Sequence, residues 1–270
     1  MKNPAFTVII PWYNRPEILK TLQANKSIFK KYGAEVIISN VGGDPGMIKH
    51  LCDDNIRIVQ ILYKKFNKCL ALNIGALSSS SETLFFLDAD MILTEDFIEE
   101  ALAHVDNNNI VIIDEVLESS YDKQKLYDNS QLDEVMVYLD IKAKNGRTAR
   151  IRMERQPVNY YSKIGNGIIF LKKKDFLSVN GMNSNFIGWG FEDNDLLIRL
   201  QLQLDVGVKI MGSMTHLTHD DSLRDTQGKT IEEHEKINSM VALQFYIKGI
   251  YEGTFNEDIA LNNVEIVPWP

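Results

Sequence analysis

The stretch TLFFLDADMI, residues 83–92, runs five strand-forming residues straight into two aspartates separated by Ala89 alone. A short apolar run of this kind reads as a strand buried inside a sheet. Working outward from it, helices and strands alternate. Upstream lie a helix over NKCLALNIGALSSS (67–80), a strand over IRIVQILY (56–63), a short helix over PGMIKHLCDDN (45–55) and a strand over AEVIISNV (34–41). Residues 6–10 form the first strand, stopped by Pro11. Asn14, Arg15, Pro16 and Glu17 then open a helix with Ile18, Leu19, Leu22, Ile28 and Phe29 on its apolar face and Gly33 at its end. Downstream, Thr94, Glu95 and Asp96 start a helix that reaches Val105, and IVIID (110–114) is the next strand.

Alternation of this kind implies right-handed crossovers and an α/β fold, with a mainly parallel sheet flanked by helices. Ligands of such sheets sit at the carboxyl ends of strands, and Asp88 and Asp90 fall at one of them. From 115 to 163 the pattern degrades into charged, Tyr-rich sequence with weak alternation in EVMVYLDIKAK (134–144), read as an excursion carrying a hairpin and loops. Regular structure returns with GIIFLKKKDFLSVNG (167–181), the helix DNDLLIRLQLQLD (193–205) and the strand VGVKIMG (206–212). One more amphipathic helix spans about 230–249. The expected organisation is a single domain, 1–228, with a central insertion at about 115–163, followed by a helical extension, 229–270.

The net charge of −8 over 270 residues argues against nucleic acid as a partner, because phosphate-binding surfaces are basic. No window reaches the roughly 18 apolar residues of a membrane span. The N-terminal residues read as a first strand rather than a signal peptide. Cys52 and Cys69 fall in predicted helices without CxxC or metal-finger spacing, and read as reduced core thiols of a cytoplasmic protein. Peripheral contact with a membrane is compatible with this composition, although no strongly basic amphipathic helix demands it.

Three clusters could carry chemistry. Asp88 and Asp90 would repel unless a cation or hydrogen bonds compensated them, and hard cations such as Mg²⁺ or Mn²⁺ favour oxygen ligands. The plainer alternative is that Asp88 bonds a loop and Asp90 caps a turn. In FIGWGFEDNDLLIRL (186–200), Gly188 and Gly190 free the backbone around Trp189, whose indole suits a sugar face. Glu192, Asp193 and Asp195 follow at a helix start, where the dipole alone would favour acids, or where one serves as a general base. In SMTHLTHDD (213–221), His216 and His219 are spaced so that one or both reach a cation, although isolated histidines are more often structural.

Taken in order, these clusters resemble a family 2 nucleotide-sugar glycosyltransferase of the GT-A fold. VIIPWYNRPEIL (8–19) resembles the family's opening, FNKCLALNIGALSSSSETLFFLDADM (66–91) its run into the DxD motif, and GWGFEDNDL (188–196) the C-terminal segment of galactosyltransferase-type members. The resemblance covers most of residues 6–221, outside the insertion and tail. It implies that Pro11, Tyr13 and Asn14 meet the uracil and ribose of a UDP-sugar donor. Asn40, in SNVGGD (39–44), stands where the family usually places an aspartate against the base. Asn67, Lys68 and Asn73 approach the nucleotide or sugar, and Asp88, beside Ala89, touches its hydroxyls. Asp90 ligates Mn²⁺ or Mg²⁺ with His219 and, as a second candidate, His216. Asp193 matches the catalytic base and Glu192 its orienting neighbour. Trp189 and Gly190 line the site of a carbohydrate, glycolipid or peptide acceptor. The implied reaction is inverting, metal-dependent sugar transfer to a hydroxyl. Two rivals stand beside it: a catalytically inactive sugar-nucleotide-binding partner of a larger synthase, and a sugar-1-phosphate nucleotidyltransferase. The second needs a Gly-rich loop after the first strand, and PWYNRP (11–16) has no glycine.

Overall fold

The computed structural model describes residues 4–63, 65–120, 131–157, 162–204, 206–220 and 228–260, and the backbone of 266–269. In chain order the elements are β1 (Thr7–Trp12), α1 (Ile18–Lys31), β2 (Glu35–Val41), β3 (Ile56–Ile61), α2 (Lys68–Ser78), β4 (Thr83–Phe86), β5 (Met91–Ile92), α3 (Glu95–Asp106) and β6 (Asn109–Glu118). There follow β7 (Glu134–Lys142), β8 (Thr148–Pro157), β9 (Lys163–Lys172), α4 (Lys173–Ser178), α5 (Glu192–Gln203), β10 (Gly207–His216), α6 (Ile231–Ile247), α7 (Phe255–Ile259) and β11 (Ile266–Trp269).

Nine strands form one sheet in the order β11-β3-β2-β1-β4-β9-β6-β10-β5. The run β3-β2-β1-β4 is parallel, as is the pair β6-β10, whereas β9 lies antiparallel between β4 and β6. Side chains of β1 alternate between two cores. Val8, Ile10 and Trp12 pack with α1 and α3, whereas Ile9 packs with α2, α4 and α5. In the first core Phe85 stacks on Phe170 at 4.0 Å, so the strand that ends in Asp88 is anchored by aromatic packing. Gly75 lets α2 lie close on the sheet, since a Cβ there would sit 2.3 Å from Ile9 Cγ2 and 2.6 Å from Ser39 Oγ.

Pro11 shapes the site indirectly. Ile9 accepts from Leu87 N at 3.1 Å, so the next residue of β1 facing the same way is Pro11, which has no N–H. The ladder to β4 therefore stops at Leu87, and the chain turns out into Asp88–Ala89–Asp90.

Several elements differ from the sequence expectation. Residues 45–55 form two 3₁₀ turns (Pro45–Met47, Lys49–Leu51) rather than a helix, so Cys52 lies just beyond a turn, half-buried, while Cys69 is buried in α2. Pro45 and Gly46 explain this, since neither favours a helix interior. β6 continues to Glu118 and β9 begins at Lys163, so the main sheet claims both ends of the expected insertion. Between them β7 and β8 pair as a separate antiparallel hairpin, whereas residues 121–130 and 158–161 lie outside the described set. The tail, expected to be helical, also contributes β11, antiparallel to β3. Among the described residues no helix is long and apolar enough to cross a membrane.

Candidate active site

Register brings the first cluster together. In β10, His216 pairs with Met91 of β5, the residue after Asp90, and also with Glu118 of β6. Leu217 N donates to Asp90 O at 2.7 Å and fixes the turn. As a result Asp90, His216 and His219 each place one ligand atom within 4.8 Å of the others. Asp90 Oδ2 lies 3.0 Å from His219 Nε2 and 3.6 Å from His216 Nε2. His219 Nδ1 is 2.7 Å from the Asp220 carbonyl and 2.8 Å from Arg15 Nη1, and its Nε2 is the nitrogen that faces Asp90. Arg15 Nη1 meets that nitrogen at 2.6 Å, and Arg15 Nε lies 3.8 Å from Asp90 Oδ2.

Burial works to raise the Asp90 pKa, but His216, His219 and Arg15 outweigh it and hold the carboxyl below its usual range. Hydrogen bonding to Asp90 raises His216, burial opposes this, and Glu118 adds to the rise. Arg15 already brings positive charge to Asp90 and His219, and the three ligand atoms lie close enough together to fit a metal cation. One carboxylate oxygen and two imidazole nitrogens suit a first-row divalent ion better than Mg²⁺, which demands oxygen ligands. Asp221, the last residue of the histidine stretch, lies outside the described residues.

A second cluster adjoins the first through the aspartate turn. Lys68 stands in the first turn of α2, whose N-cap Asn67 accepts from Leu70 N at 2.9 Å and donates to Ser184 O. Lys68 Nζ reaches Asp193 Oδ2 at 2.9 Å and Asp88 Oδ1 at 3.3 Å. Burial would lower its pKa, yet Asp193, Asp88 and Glu192 together hold the ammonium well above its usual value. Desolvation, helped by Asp90 and Asp193, raises the Asp88 carboxyl despite Lys68. Glu192 is buried and is pushed up to about 7 by burial first and by the adjacent Asp193 second. Asp193 Oδ1 is buried and has no hydrogen-bond partner among the described residues. Gly167 of β9 backs the pair, since a Cβ there would lie 2.5 Å from Asp193 Oδ2 and 2.9 Å from Lys68 Nζ.

The remaining expected residues divide. Tyr13 is exposed at the end of β1 and tilts against Phe66 at 6.2 Å, and Asn14 Oδ1 accepts from Asp44 N at 2.7 Å. Pro11 and Ala89 are buried backbone positions. Trp189 is half-buried in the loop that Asn238 of α6 pins by donating to Ile187 O and Gly190 O. Two more of the expected residues are buried in the protein. Asn40 is fully buried, donating to Gly43 O and Gln60 Oε1 and accepting from Gly43 N, so its amide holds a turn. Asn73 is likewise fully buried, joined to Met182 and to Asp258 of α7, so it braces α2. Asp195, of the three acids opening α5, is spent on Arg199 at 2.8 Å and Tyr246 at 2.6 Å.

Sequence reasoning missed Arg15, which it read only as part of a helix start. It also missed Glu118 and Lys163, which it placed inside the insertion. Glu118 and Lys163 sit at strand ends, and Arg15 lies in the loop between β1 and α1.

A mixed α/β sheet gathering carboxylates and imidazoles at its strand ends is the layout of the GT-A glycosyltransferases. The chain belongs to the glycosyltransferase-like family 2, whose domain it matches over residues 7–252. Two solved structures share the fold. The catalytic domain of Drosophila β1,4-galactosyltransferase 7 with xylobiose superposes with a TM-score of 0.50 at 15% identity, covering 84% of this chain and 77% of that one. S. aureus TarS 1-349 in complex with UDP-GlcNAc gives a TM-score of 0.55 at 12% identity, covering 89% of this chain and 66% of that one. In sequence, Mus musculus β-1,4-galactosyltransferase 4 is 28% identical over 143 residues, 52% of this chain and 30% of that protein. The chain thus spans about 30% of the length of such curated relatives.

Proposed function

We propose that the protein is an inverting glycosyltransferase that moves a sugar from a UDP-sugar to an acceptor hydroxyl, with Mn²⁺ as the bound cation. The observation that carries this reading is the convergence of Asp90, His216 and His219 ligand atoms within 4.8 Å at the carboxyl end of the sheet. The galactosyltransferase relatives make UDP-galactose the first donor to test, and saccharide, glycolipid and peptide hydroxyls the acceptors.

Asp90, His219 and His216 would hold the cation. When bound, it supplies Lewis-acid stabilisation of the diphosphate leaving group. Arg15, beside these residues, adds fixed positive charge near the same leaving group. Tyr13 and Asn14, at the end of β1, offer a ring and an amide to the nucleoside. Asp193 Oδ1, a buried acceptor with no donor of its own among the described residues, takes the proton of the acceptor hydroxyl. Oxygen attacks the anomeric carbon as the bond to the diphosphate breaks on the opposite face, and UDP leaves with the electron pair. Lys68 holds Asp193 Oδ2, so the other oxygen alone faces this task. Trp189 and Gly190 border the acceptor.

UDP release from a panel of UDP-sugars, with simple saccharide acceptors and with or without Mn²⁺, tests the reading. Metal-dependent turnover with one donor is expected. Donor binding without turnover for any pair would instead support an inactive sugar-nucleotide-binding subunit.

A further inference from the structure

We infer that Glu118, through its contact with His216, is a positioning residue for the metal site, with Lys163 as its counter-charge. The inference rests on the reading of Asp90, His216 and His219 as cation ligands. Glu118 is the last residue of β6 and lies directly across the parallel ladder from His216, the last residue of β10. Its Oε2 sits 2.8 Å from His216 Nδ1 and accepts from Thr218 Oγ1 at 2.9 Å, and its Oε1 meets Lys163 Nζ at 2.7 Å. The carboxylate is buried, so it is costly without partners and is retained with three.

An imidazole bonded through Nδ1–H to a carboxylate has its tautomer and ring plane fixed, and its Nε2 lone pair gains basicity. Here Nε2 is the nitrogen turned to Asp90, at 3.6 Å. Thr218 ties the same carboxylate to the segment between the two histidines, and Ser119 Oγ accepts from Thr218 N at 3.0 Å. Glu118 therefore sets the orientation of the His216 ring, and Thr218 holds the carboxylate in place. No other carboxylate is paired with either histidine except Asp90 itself among the described residues.

The test is Mn²⁺ affinity of the full chain without nucleotide, read by the free-ion EPR signal, in a double-mutant cycle. Glu118→Leu should weaken Mn²⁺ binding about 10–100-fold, the usual cost of losing such an outer partner. Glu118→Gln keeps an acceptor for Nδ1–H and should recover most of that loss; this rescue separates positioning from a general structural defect. In a His216→Ala background, Glu118→Gln and Glu118→Leu should cost little more, because the effect passes through the missing ring. Equal losses with and without His216, or parent-like affinity in Glu118→Leu, would overturn the assignment while leaving the metal site intact. Failure of the parent protein to bind Mn²⁺ would overturn the metal reading itself, and this inference with it.

Discussion

Glu192→Gln offers a quantitative test of the site's electrostatics. The carboxyl is buried and its pKa rises from 4.5 to about 7, so the native state holds a proton that the unfolded chain releases. A folded pKa above the unfolded one contributes stability that is complete below the unfolded value. That stability is lost as pH rises through the folded value. Between pH 5 and pH 8 the loss from this one group integrates to about 2–3 kcal/mol. Gln keeps the shape and cannot ionise, so Glu192→Gln should gain about 2–3 kcal/mol on the parent over that interval, with the two nearest to equal at low pH. Urea unfolding of both proteins at several pH values, compared as a difference, isolates the group from every other titration. A difference that stays flat from pH 5 to pH 8 would show that Glu192 ionises there at no cost, and would refute the reasoning.

Asp193→Asn should lower kcat by about 10²–10⁴-fold while UDP-sugar and Mn²⁺ affinities stay near those of the parent; near-normal turnover would remove Asp193 as the base. Gly167→Ala would drive a methyl to within 2.5 Å of Asp193 Oδ2. A displacement of about 1 Å costs on the order of 10² in rate, so kcat should fall by that factor with little change in the thermal midpoint. Asn73→Ala should destabilise by about 1–3 kcal/mol, by taking one donor from the buried Asp258 carboxyl and the acceptor from Met182 N, with UDP-sugar affinity unchanged; loss of UDP-sugar affinity at full stability would place Asn73 at the nucleotide site.

The parts of the fold legible in sequence are those with strong period and punctuation. Phe85 and Phe86 in an apolar run and Gly33 after a helix act locally, and the structure places both as read. The DAD turn was legible because two acids after a buried strand have few structural uses. The burial of Asn40 and Asn73 was not legible, because an amide at a strand end or on a helix looks the same in sequence, whether it faces a cleft or a neighbouring loop. Only tertiary packing, Asn40 against Gln60 and Asn73 against Asp258, decides between the two. Glu118 was hidden for a related reason. Its meaning comes from register across β6 and β10, whose partners lie 98 residues apart, and no periodicity reports that.

The most direct test is anomalous diffraction at the manganese edge from crystals of the protein grown with MnCl₂ and UDP. The account predicts one strong peak at bonding distance, about 2–2.5 Å, from Asp90 and His219, with UDP phosphate oxygens on its open side. A manganese peak distant from Asp90 and His219, or UDP bound away from that strand end with no metal beside it, would contradict it.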